Sequence, residues 1–520
     1  MAEGFSKVRI VAGINRNIEA ASQEQFDLIV IGGGIHGVML ALSASLISIK
    51  TLLIEKSDFG ASTSYNSLRI LHGGFRYLQN LDLQRLYESA NERAWYFRFF
   101  PELARPLACL MPLYGKGLRH PFVLGPALKS YNFLTAARNK GLKEALAIPD
   151  GRLLNAAETR NQCRYFRDQG LKGGAVWYDG FIPDTQRVLV GALRWGCEYG
   201  LHALNYVRAV NLIQTNGVAR GVIARDEETG IEYEFMGTRI VNAAGPWCRE
   251  LAAVFDRDEP SLFHSMLAWN VLFDRKSISP YAVAVSPPGP AARTYFVVPW
   301  KGRVFAGTGQ APWAHSNENP GPSSSQLHHF CADLNRALPG IGLGESDILH
   351  VFSGLQSAKE EKGIDFSKRD VFISHADRGG PKGFYSISGI KFTTARKAAE
   401  KVIRKIYPEV RFRKDFYYRY PPPADATVAA GAYDFDWVPD LNDTDWKNEL
   451  LGLIREESAI HIDDLVIRRT SIGDNPSRAL NVAPVLCDLF NWDQERKYME
   501  RQRLEQHFRG YGKTDKRDIN

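Results

Sequence analysis

Short apolar runs separated by glycines and polar turns form the main pattern along this chain. The first run, Leu28–Ile31, precedes a glycine-rich turn and the small-residue segment 38–48. An apolar run of four residues that ends at glycines predicts a buried strand, and the segment after it predicts a helix. The 22 residues from 28 to 49 carry no Asp, Glu, Lys or Arg, which is also typical of a membrane span. The four glycines among them favour strand, turn and helix.

The alternation of strands, turns and helices continues along the chain. Further strands are predicted at 51–54, 204–212, 240–247 and 385–388, and a hairpin joins 296–299 to 303–307 around the turn 300–302. A helix over 393–406 follows the last of these strands, and 311–325 reads as a loop. After the proline run 421–423, the segment 445–506 predicts several amphipathic helices. The pattern therefore predicts an α/β protein with a boundary near these prolines.

The turn after the first strand has the spacing G-x-G-x-x-G. Gly32 allows a tight turn, Gly34 lets a pyrophosphate approach the backbone, and Gly37 lets the helix pack closely on the strand. The second strand ends in Glu55, 23 residues after Gly32, where a carboxylate can accept hydrogen bonds from a ribose diol. The combination predicts a dinucleotide site, although the fingerprint alone does not distinguish NAD from FAD.

The segment that follows Glu55 helps to distinguish the two cofactors. Residues 61–67 form a hydroxyl-rich loop that can donate hydrogen bonds to phosphate and ribitol groups. The loop runs into the sequence HGGFRYL at 72–78, and two later glycine-containing segments read NAAGPW at 242–247 and GIKFTTARK at 389–397.

These motifs resemble those of the FAD-dependent glycerol-3-phosphate dehydrogenases, within the larger group of D-amino-acid-oxidase-like and glutathione-reductase-like flavoproteins. They occur in the order and spacing of that family, and the resemblance runs from about Phe26 to the C-terminus. The late stretch 455–470, with Asp463-Asp464 and Arg468-Arg469, resembles the helical C-terminal domain of the family.

The resemblance implies a Rossmann-like FAD-binding domain with an inserted α+β substrate domain and a C-terminal α-helical domain. The implied bounds are an N-terminal extension at 1–25, an FAD-binding domain at 26–110, 170–255 and 350–405, a substrate domain at 111–169 and 256–349, a linker at 406–425 and a helical domain at 426–520.

The resemblance also implies the residues that hold the cofactor FAD. Besides the three fingerprint glycines and Glu55, they are Ser62, Thr63, Ser64, Ser67, Arg69, His72, Gly73, Val207, Ala244, Gly245, Gly389, Lys391, Phe392 and Thr393. Arg69 replaces the usual lysine of the family and keeps its charge. His72 precedes two glycines, so packing near the flavin is a better interpretation of it than a role as base.

Three residues are implied at the substrate. Arg76 and Tyr77 match the family's contact with the substrate phosphate, and Lys391 matches its lysine near flavin and substrate. From the residues alone, Arg76 is equally typical of a structural ion pair and Tyr77 of a core aromatic. A solvated lysine at a helix N-terminus is disfavoured by the helix dipole, and a nearby anion would resolve that conflict.

Departures from the family pattern lie in the substrate half. Gln356 stands where the family has an arginine that clamps phosphate, and Asn270 aligns with a histidine that is a candidate base. An asparagine cannot accept a proton at neutral pH. The family sequence G-T-T-D reads Gly-Thr-Gly-Gln at 307–310. The FAD motifs are intact, so these changes concern the substrate and not the cofactor.

Composition narrows the choice of partners. The 520 residues carry a net charge of +7, which suits a small anionic substrate and is too small for a nucleic-acid binder. The six cysteines are scattered without metal-ligand spacing, which favours a reduced, cytoplasmic compartment and no metal site. The stretch 401–419 combines Lys and Arg with aromatics, which is typical either of a membrane face or of a solvated linker whose aromatics pack on the core.

Three functions stay open at this point. The first is oxidation of glycerol-3-phosphate to dihydroxyacetone phosphate with hydride transfer to FAD and electrons passed to a quinone, at the cytoplasmic face of a membrane. The second is a divergent FAD-dependent oxidoreductase that acts on another hydroxy or amino compound. The third is a flavoprotein subunit without turnover. A homodimer is compatible with each of them.

Overall fold

The structure is a computed structural model of the chain. It describes residues 13–78, 81–115, 120–289, 292–315, 320–413, 415–427, 433 and 435–509, apart from the side chains of Arg76, Leu78 and Arg509.

In these ranges the strands alternate with helices along most of the chain. The strands are β1 (Gln25–Phe26), β2 (Leu28–Ile31), β3 (Thr51–Ile54), β4 (Ile70–Leu71), β5 (Arg105–Leu113), β6 (Arg152–Leu154), β7 (Gly173–Phe181), β8 (His202–Leu204), β9 (Val207–Thr215), β10 (Val218–Asp226), β11 (Glu232–Gly237), β12 (Ile240–Asn242), β13 (Ser265–Lys276), β14 (Ala282–Val285), β15 (Tyr295–Trp300), β16 (Arg303–Pro312), β17 (Ile348–Ser357), β18 (Val371–Ser374) and β19 (Phe384–Ser388). The helices are α1 (Ile18–Ser22), α2 (Ile35–Ser45), α3 (Phe75–Leu78), α4 (Leu83–Phe99), α5 (Pro121–Leu134), α6 (Ala156–Gln162), α7 (Thr185–Glu198), α8 (Cys248–Phe255), α9 (Ser324–Ala337), α10 (Ala395–Ile406), α11 (Phe416–Arg419), α12 (Asp445–Glu456), α13 (Pro476–Cys487) and α14 (Gln494–Arg509).

A six-stranded sheet with the order β18-β19-β12-β2-β3-β8 forms the centre of the dinucleotide half. Its strands from β19 to β8 are parallel, and helix α2 packs against α7 and α10 beside it. The whole of β2 and β3 is buried, as expected for a parallel sheet covered on both faces. The strands predicted at 28–31, 51–54 and 385–388 are thereby confirmed. The strand predicted to begin at 240 is also present, but it ends at Asn242 and is followed by a 3-10 turn at Gly245–Trp247. Helix α2 begins earlier than the predicted residue 38, because Gly34 is its N-cap.

A second sheet has the order β1-β11-β10-β9 and is antiparallel from β11 to β9. The single strand predicted at 204–212 is wrong, since the chain leaves β8 at Asn205 and enters β9 at Val207. Tyr206 between them has φ of +56°, a left-handed conformation that cannot continue a strand.

The third sheet has the order β17-β13-β16-β15-β14-β5-β7-β4, with β6 beside β7. The predicted hairpin around 300–302 is confirmed as β15 and β16. The domain bounds at 110, 170 and 350 do not follow this sheet, because β5 and β17 cross them and β7 pairs with β5 along its whole length. We therefore propose that β4, β5, β7 and β17 belong to the substrate domain, with the other predicted bounds kept.

Helices α12, α13 and α14 form the C-terminal part, as predicted, and a π-helical turn at Asp464–Arg469 lies between the first two. The end of the predicted N-terminal extension is packed against it, because the Ile14 N–H donates to the Glu456 carbonyl at 2.7 Å. Residues 1–12 of that extension lie outside the described residues.

The basic and aromatic stretch 401–419 packs mainly on the core. Phe416 and Tyr417 are buried, whereas Tyr418 is 58% exposed. Arg413 and Arg419 both pair with Asp415. The structure thus favours the interpretation as a linker with packed aromatics over a membrane face. None of the described helices is long and apolar enough to span a membrane.

His461 connects the C-terminal part to the second sheet. Its ring nitrogens lie 2.8 Å from a Glu228 carboxylate oxygen and 2.7 Å from one of Glu500. Burial acts to lower the pKa of His461, but the two carboxylates outweigh it and raise the pKa to about 9. Of the other charged groups nearby, the Asp464 carboxylate acts in the same direction and Arg503 opposes it.

We expect His461→Gln to destabilise the protein below neutral pH and much less above pH 9. The raised pKa means that the folded state holds the proton more tightly, so the stabilisation is complete below about pH 6.5 and is lost as pH rises through the folded value of about 9. Its size is at most about 3 kcal/mol. Urea unfolding of both proteins at several pH values measures it; a difference between them that is independent of pH contradicts the assignment.

Candidate FAD site

The glycine fingerprint brings three elements into close contact. Gly32 has φ of +114°, and its N–H donates to the Ile54 carbonyl at 2.8 Å. A Cβ on Gly32 would lie 2.6 Å from the Ala243 oxygen, and a Cβ on Gly37 would lie 1.9 Å from the Gly32 oxygen. Both glycines are therefore required by packing of β2, β12 and α2.

A cavity of about 630 Å³ opens where the strands of the central sheet end, which is the ligand position of open α/β sheets. Its volume lies in the roughly 300–1,000 Å³ range of ligand pockets. The residues predicted for the site that line it are Gly32, Gly34, Glu55, Ser62, Thr63, Ser64, Ser67, Val207, Ala244, Gly245, Gln356, Gly389, Lys391 and Phe392.

Glu55 closes one end of the cavity. Its carboxylate accepts the N–H of Gly33 at 2.6 Å and that of Ser57 at 2.9 Å. Burial raises the pKa of Glu55, and the two N–H donors oppose this rise. The N–H of Val207 donates to the Glu55 carbonyl at 2.8 Å, so these two elements border the same end. A carboxylate here can accept further hydrogen bonds from a ribose diol.

The middle of the cavity suits a phosphate. Helix α2 begins there at the N-cap Gly34, whose lack of a side chain leaves the backbone open to a ligand. The hydroxyl loop folds over this helix end, since Ser64 Oγ accepts the N–H of Ile35 at 3.0 Å. His36 Nε2 is buried and has no hydrogen-bond partner among the described residues. The open helix end fits the pyrophosphate of a dinucleotide.

Lys391 marks the other end. Its ammonium group contacts the Tyr77 hydroxyl and lies 4.6 Å from the centre of that ring. The Arg85 guanidinium lies 5.9 Å from the centre of the same ring and donates a hydrogen bond to the Lys368 carbonyl. Among the described residues, no carboxylate is within ion-pair distance of Lys391. The lysine therefore presents an uncompensated positive charge to the cavity.

The comparisons with known proteins agree with this geometry. Residues 27–402 match the family described as FAD dependent oxidoreductase. The chain belongs to this family. It uses FAD, and the residues at the fingerprint turn fit that cofactor.

Relatives and solved structures extend the comparison. The aerobic glycerol-3-phosphate dehydrogenase of Bacillus subtilis is 28% identical over 75% of this chain and 68% of its own length. The glycerol-3-phosphate dehydrogenase of Synechocystis is 27% identical over 76% and 72%. The fold is similar to that of the Bacillus halodurans glycerol-3-phosphate dehydrogenase complexed with FAD, at 21% identity, 95% and 96% coverage and a TM-score of 0.68.

Several residues that were predicted to contact FAD do not line the cavity. They are Gly37, Arg69, His72, Gly73 and Thr393. The Arg69 guanidinium lies 4.4 Å from the Trp300 ring and donates to the Pro183 carbonyl at 2.9 Å. Arg69 is therefore a cation packed against the third sheet, and the prediction of a direct contact is not supported by its position.

The HGG turn is held by one buried carboxylate. Asp179 accepts the Gly73 N–H at 2.7 Å, and its other oxygen lies 3.3 Å from His72 Nδ1. A Cβ on Gly73 would lie 2.0 Å from the Arg93 guanidinium. These residues fix the approach to α3 beside the cavity, which agrees with the packing interpretation of His72. Thr393 lies just before α10, where it is buried.

Asn270 lies on β13, outside the cavity. Its amide donates to the Asn66 carbonyl at 2.9 Å and accepts the Thr308 hydroxyl at 3.0 Å. It thus ties the third sheet to the hydroxyl loop, and the predicted catalytic role is not supported by its position. Gln356 lines the cavity, and its contact with the substrate stays a prediction. The side chain of Arg76 lies outside the described residues, so its phosphate contact stays a prediction.

Several cavity residues were missed by the sequence analysis, including His36 and Lys56. His36 stands inside the fingerprint itself, where a polar side chain between two glycines was the available signal. Lys56 lies 3.7 Å from the centre of the Trp247 ring, and both line the cavity at the Glu55 end. Nothing in the local sequence predicts that contact, because 190 residues separate the two.

Proposed function

We propose that the protein oxidises glycerol-3-phosphate to dihydroxyacetone phosphate and passes the electrons from FAD to a quinone. The observation that carries the proposal is Lys391, an ammonium group without an ion pair among the described residues, next to the Tyr77 hydroxyl at one end of the FAD cavity. A phosphate is the charge that such a pair would accept. The names of the relatives, which act on glycerol-3-phosphate, support the same substrate.

The protein residues supply binding and orientation. Lys391 neutralises the phosphate, and the Tyr77 hydroxyl donates a second hydrogen bond, so the carbon that bears the secondary alcohol is held toward the flavin. FAD supplies the acceptor for the hydride from this carbon. Over one turnover the alcohol would lose a hydride and a proton, and a quinone would take up the two electrons and two protons that are removed.

Gln356 favours a second candidate. Its neutral side chain lines the cavity where the resemblance implies an arginine. A neutral amide suits a substrate with less negative charge, such as another hydroxy acid or an amino compound. In this case the protein remains an FAD-dependent oxidoreductase with a changed substrate.

Anaerobic titration tests both candidates. We expect glycerol-3-phosphate to bleach the flavin of the holoenzyme, and Gln356→Arg to lower the concentration needed by about tenfold, because one charge-assisted hydrogen bond contributes about 1.5–3 kcal/mol. Gln356→Met is the matched control without a charge. Bleaching by a hydroxy acid or an amino acid, with none by glycerol-3-phosphate, favours the second candidate. A flavin that no donor reduces indicates a subunit without turnover.

The acceptor is tested in the same preparation. A quinone added after bleaching should restore the oxidised flavin. Helix α5 supports an approach to a membrane, because Phe122 and Phe133 are 85% and 82% exposed and Lys129 lies between them on the surface. If quinone is reached at a bilayer, anionic vesicles should sediment the protein at low salt and less at high salt.

A further inference from the structure

Asp58 is a fully buried carboxylate just beyond the end of the FAD cavity that Glu55 closes. Arg469 donates to both of its oxygens, at 2.7 and 2.8 Å, and Arg468 donates to one of them at 2.5 Å. Burial alone would raise the pKa of Asp58, but the two guanidinium groups outweigh it and lower the pKa below its usual value. Both arginines belong to the π-helical turn of the C-terminal part, 410 residues along the chain.

Two residues of the connection between β8 and β9 reach the same C-terminal segment. The Asn205 amide donates to Asp58 at 3.1 Å and to the Ser458 carbonyl at 2.8 Å, and the Ser458 hydroxyl donates back to Asn205. The Tyr206 hydroxyl donates to Asp464 at 2.6 Å. We call Asp58, Asn205, Tyr206, Ser458, Asp464, Arg468 and Arg469 the Asp58 cluster.

Backbone hydrogen bonds join the Asp58 cluster to the cavity wall. The Tyr206 N–H donates to the Ser57 carbonyl at 3.0 Å, and the Val207 N–H donates to the Glu55 carbonyl at 2.8 Å. Ser57, Glu55 and Val207 line the cavity. A shift of Asp58 or Tyr206 would therefore move Glu55 and the start of β9 at Val207, which border the ribose end of the cavity.

The desolvation cost of burying these charged groups indicates what the Asp58 cluster contributes to the structure. Asp58, Asp464 and Arg469 are fully buried, and Arg468 is nearly so. Burying ion pairs costs desolvation energy that their mutual attraction does no more than offset, whereas removing one partner is strongly destabilising. The cluster is thus a poor device for added stability, but it fixes the geometry of the two elements that it joins.

We propose that the segment 457–469 of the C-terminal part is a positioning element of the FAD site. Through Asp58 and Tyr206 it holds Glu55 and Val207 in the geometry that binds the adenosine half of FAD. The proposal concerns the cofactor and does not depend on which substrate is oxidised.

The test compares ligand affinities of the full-length protein after removal of FAD. The variants are Asp58→Asn, which removes the charge without changing the shape, and Tyr206→Phe, which removes one hydroxyl. The probes are FAD and ADP, which carries only the adenosine half. We expect Asp58→Asn to weaken both probes by about tenfold and Tyr206→Phe to weaken both by a smaller factor, because the ribose contacts lose their preset geometry.

Asp474→Asn is the matched control. Asp474 is also a buried C-terminal carboxylate and pairs with Lys301 of the hairpin turn, but neither residue lines the FAD cavity. We expect this variant to lower the free energy of unfolding without changing the affinity for ADP. If the Asp58 cluster served stability alone, Asp58→Asn would likewise lower the free energy of unfolding and leave the affinity for ADP unchanged.

The result that overturns the proposal is a folded Asp58→Asn or Tyr206→Phe protein that binds FAD and ADP as tightly as the wild type. Where Asp58→Asn does not fold, Tyr206→Phe decides, because it removes one hydroxyl with its hydrogen bonds to Asp464 and Arg503 and leaves the charges of the cluster in place. Near-ultraviolet circular dichroism of the protein without cofactor establishes that each variant is folded before titration.

Discussion

Lys391→Met is expected to lower the rate of flavin reduction by glycerol-3-phosphate, at low substrate concentration, by about 100-fold. The change removes an ammonium group that faces the cavity without an ion pair among the described residues. A charge-assisted hydrogen bond of about 3 kcal/mol accounts for a loss of this size. Stopped-flow absorbance under anaerobic conditions measures the rate directly, and the amount of bound FAD is expected to change little.

The controls separate charge from position. Lys391→Arg keeps the charge and should retain a larger part of the activity, although a guanidinium group cannot reproduce the contact with Tyr77. Lys401→Met removes a lysine that pairs with Glu88 outside the FAD cavity and should have no effect on the rate. Equal activity of Lys391→Met and wild type would exclude the phosphate role and with it the main support for the proposed substrate.

The central sheet was predictable because its signals are local. A run such as Leu28–Ile31 is apolar at every position, and its end at Gly32 sets the turn. The glycine spacing and Glu55 define the ribose and phosphate positions within one βαβ unit. The sequence therefore predicted part of the lining at the adenosine half of the cavity, and His36, Lys56 and Ser57 are among the lining residues that it missed.

Residues in the substrate half were harder to predict because their roles depend on distant partners. Asn270 aligns with a candidate base, yet its amide is bonded to Asn66 and Thr308, which come from other parts of the chain. Arg69 carries the expected charge, but its position is decided by Trp300 of the third sheet. An alignment shows which residue occupies a position and on which strand it lies. It does not show which partner a buried side chain at that position contacts.

The sequence of the C-terminal part predicted its helices clearly but did not indicate its contact with the FAD site. The helices after the proline run were predictable from their amphipathic pattern, whereas Asp464 and Arg468 stood out as part of a family resemblance. Their contacts with Asp58 and Tyr206 join segments that are hundreds of residues apart. Such pairings follow only from the packed chain, and they form the basis of the positioning role proposed above.

Gly37→Ala is expected to weaken FAD binding by about 100-fold or more and to destabilise the protein by up to about 3 kcal/mol. The new Cβ would lie 1.9 Å from the Gly32 carbonyl oxygen, so helix α2 has to move away from β2. This movement widens the turn that holds the pyrophosphate and withdraws the helix end from it. Fluorescence titration with FAD measures the affinity, and urea unfolding without cofactor measures the stability.

Gly452→Ala is the matched control for this substitution. Gly452 lies on helix α12, and a Cβ there meets no atom within 4 Å. In a helix, alanine is favoured over glycine by about 0.5–1 kcal/mol, so the control should be slightly more stable and bind FAD normally. The two glycine-to-alanine changes are expected to shift the free energy of unfolding in opposite directions, because a Cβ has space at 452 and none at 37. Wild-type affinity of a folded Gly37→Ala protein would mean that close contact between helix and strand is not needed to hold FAD.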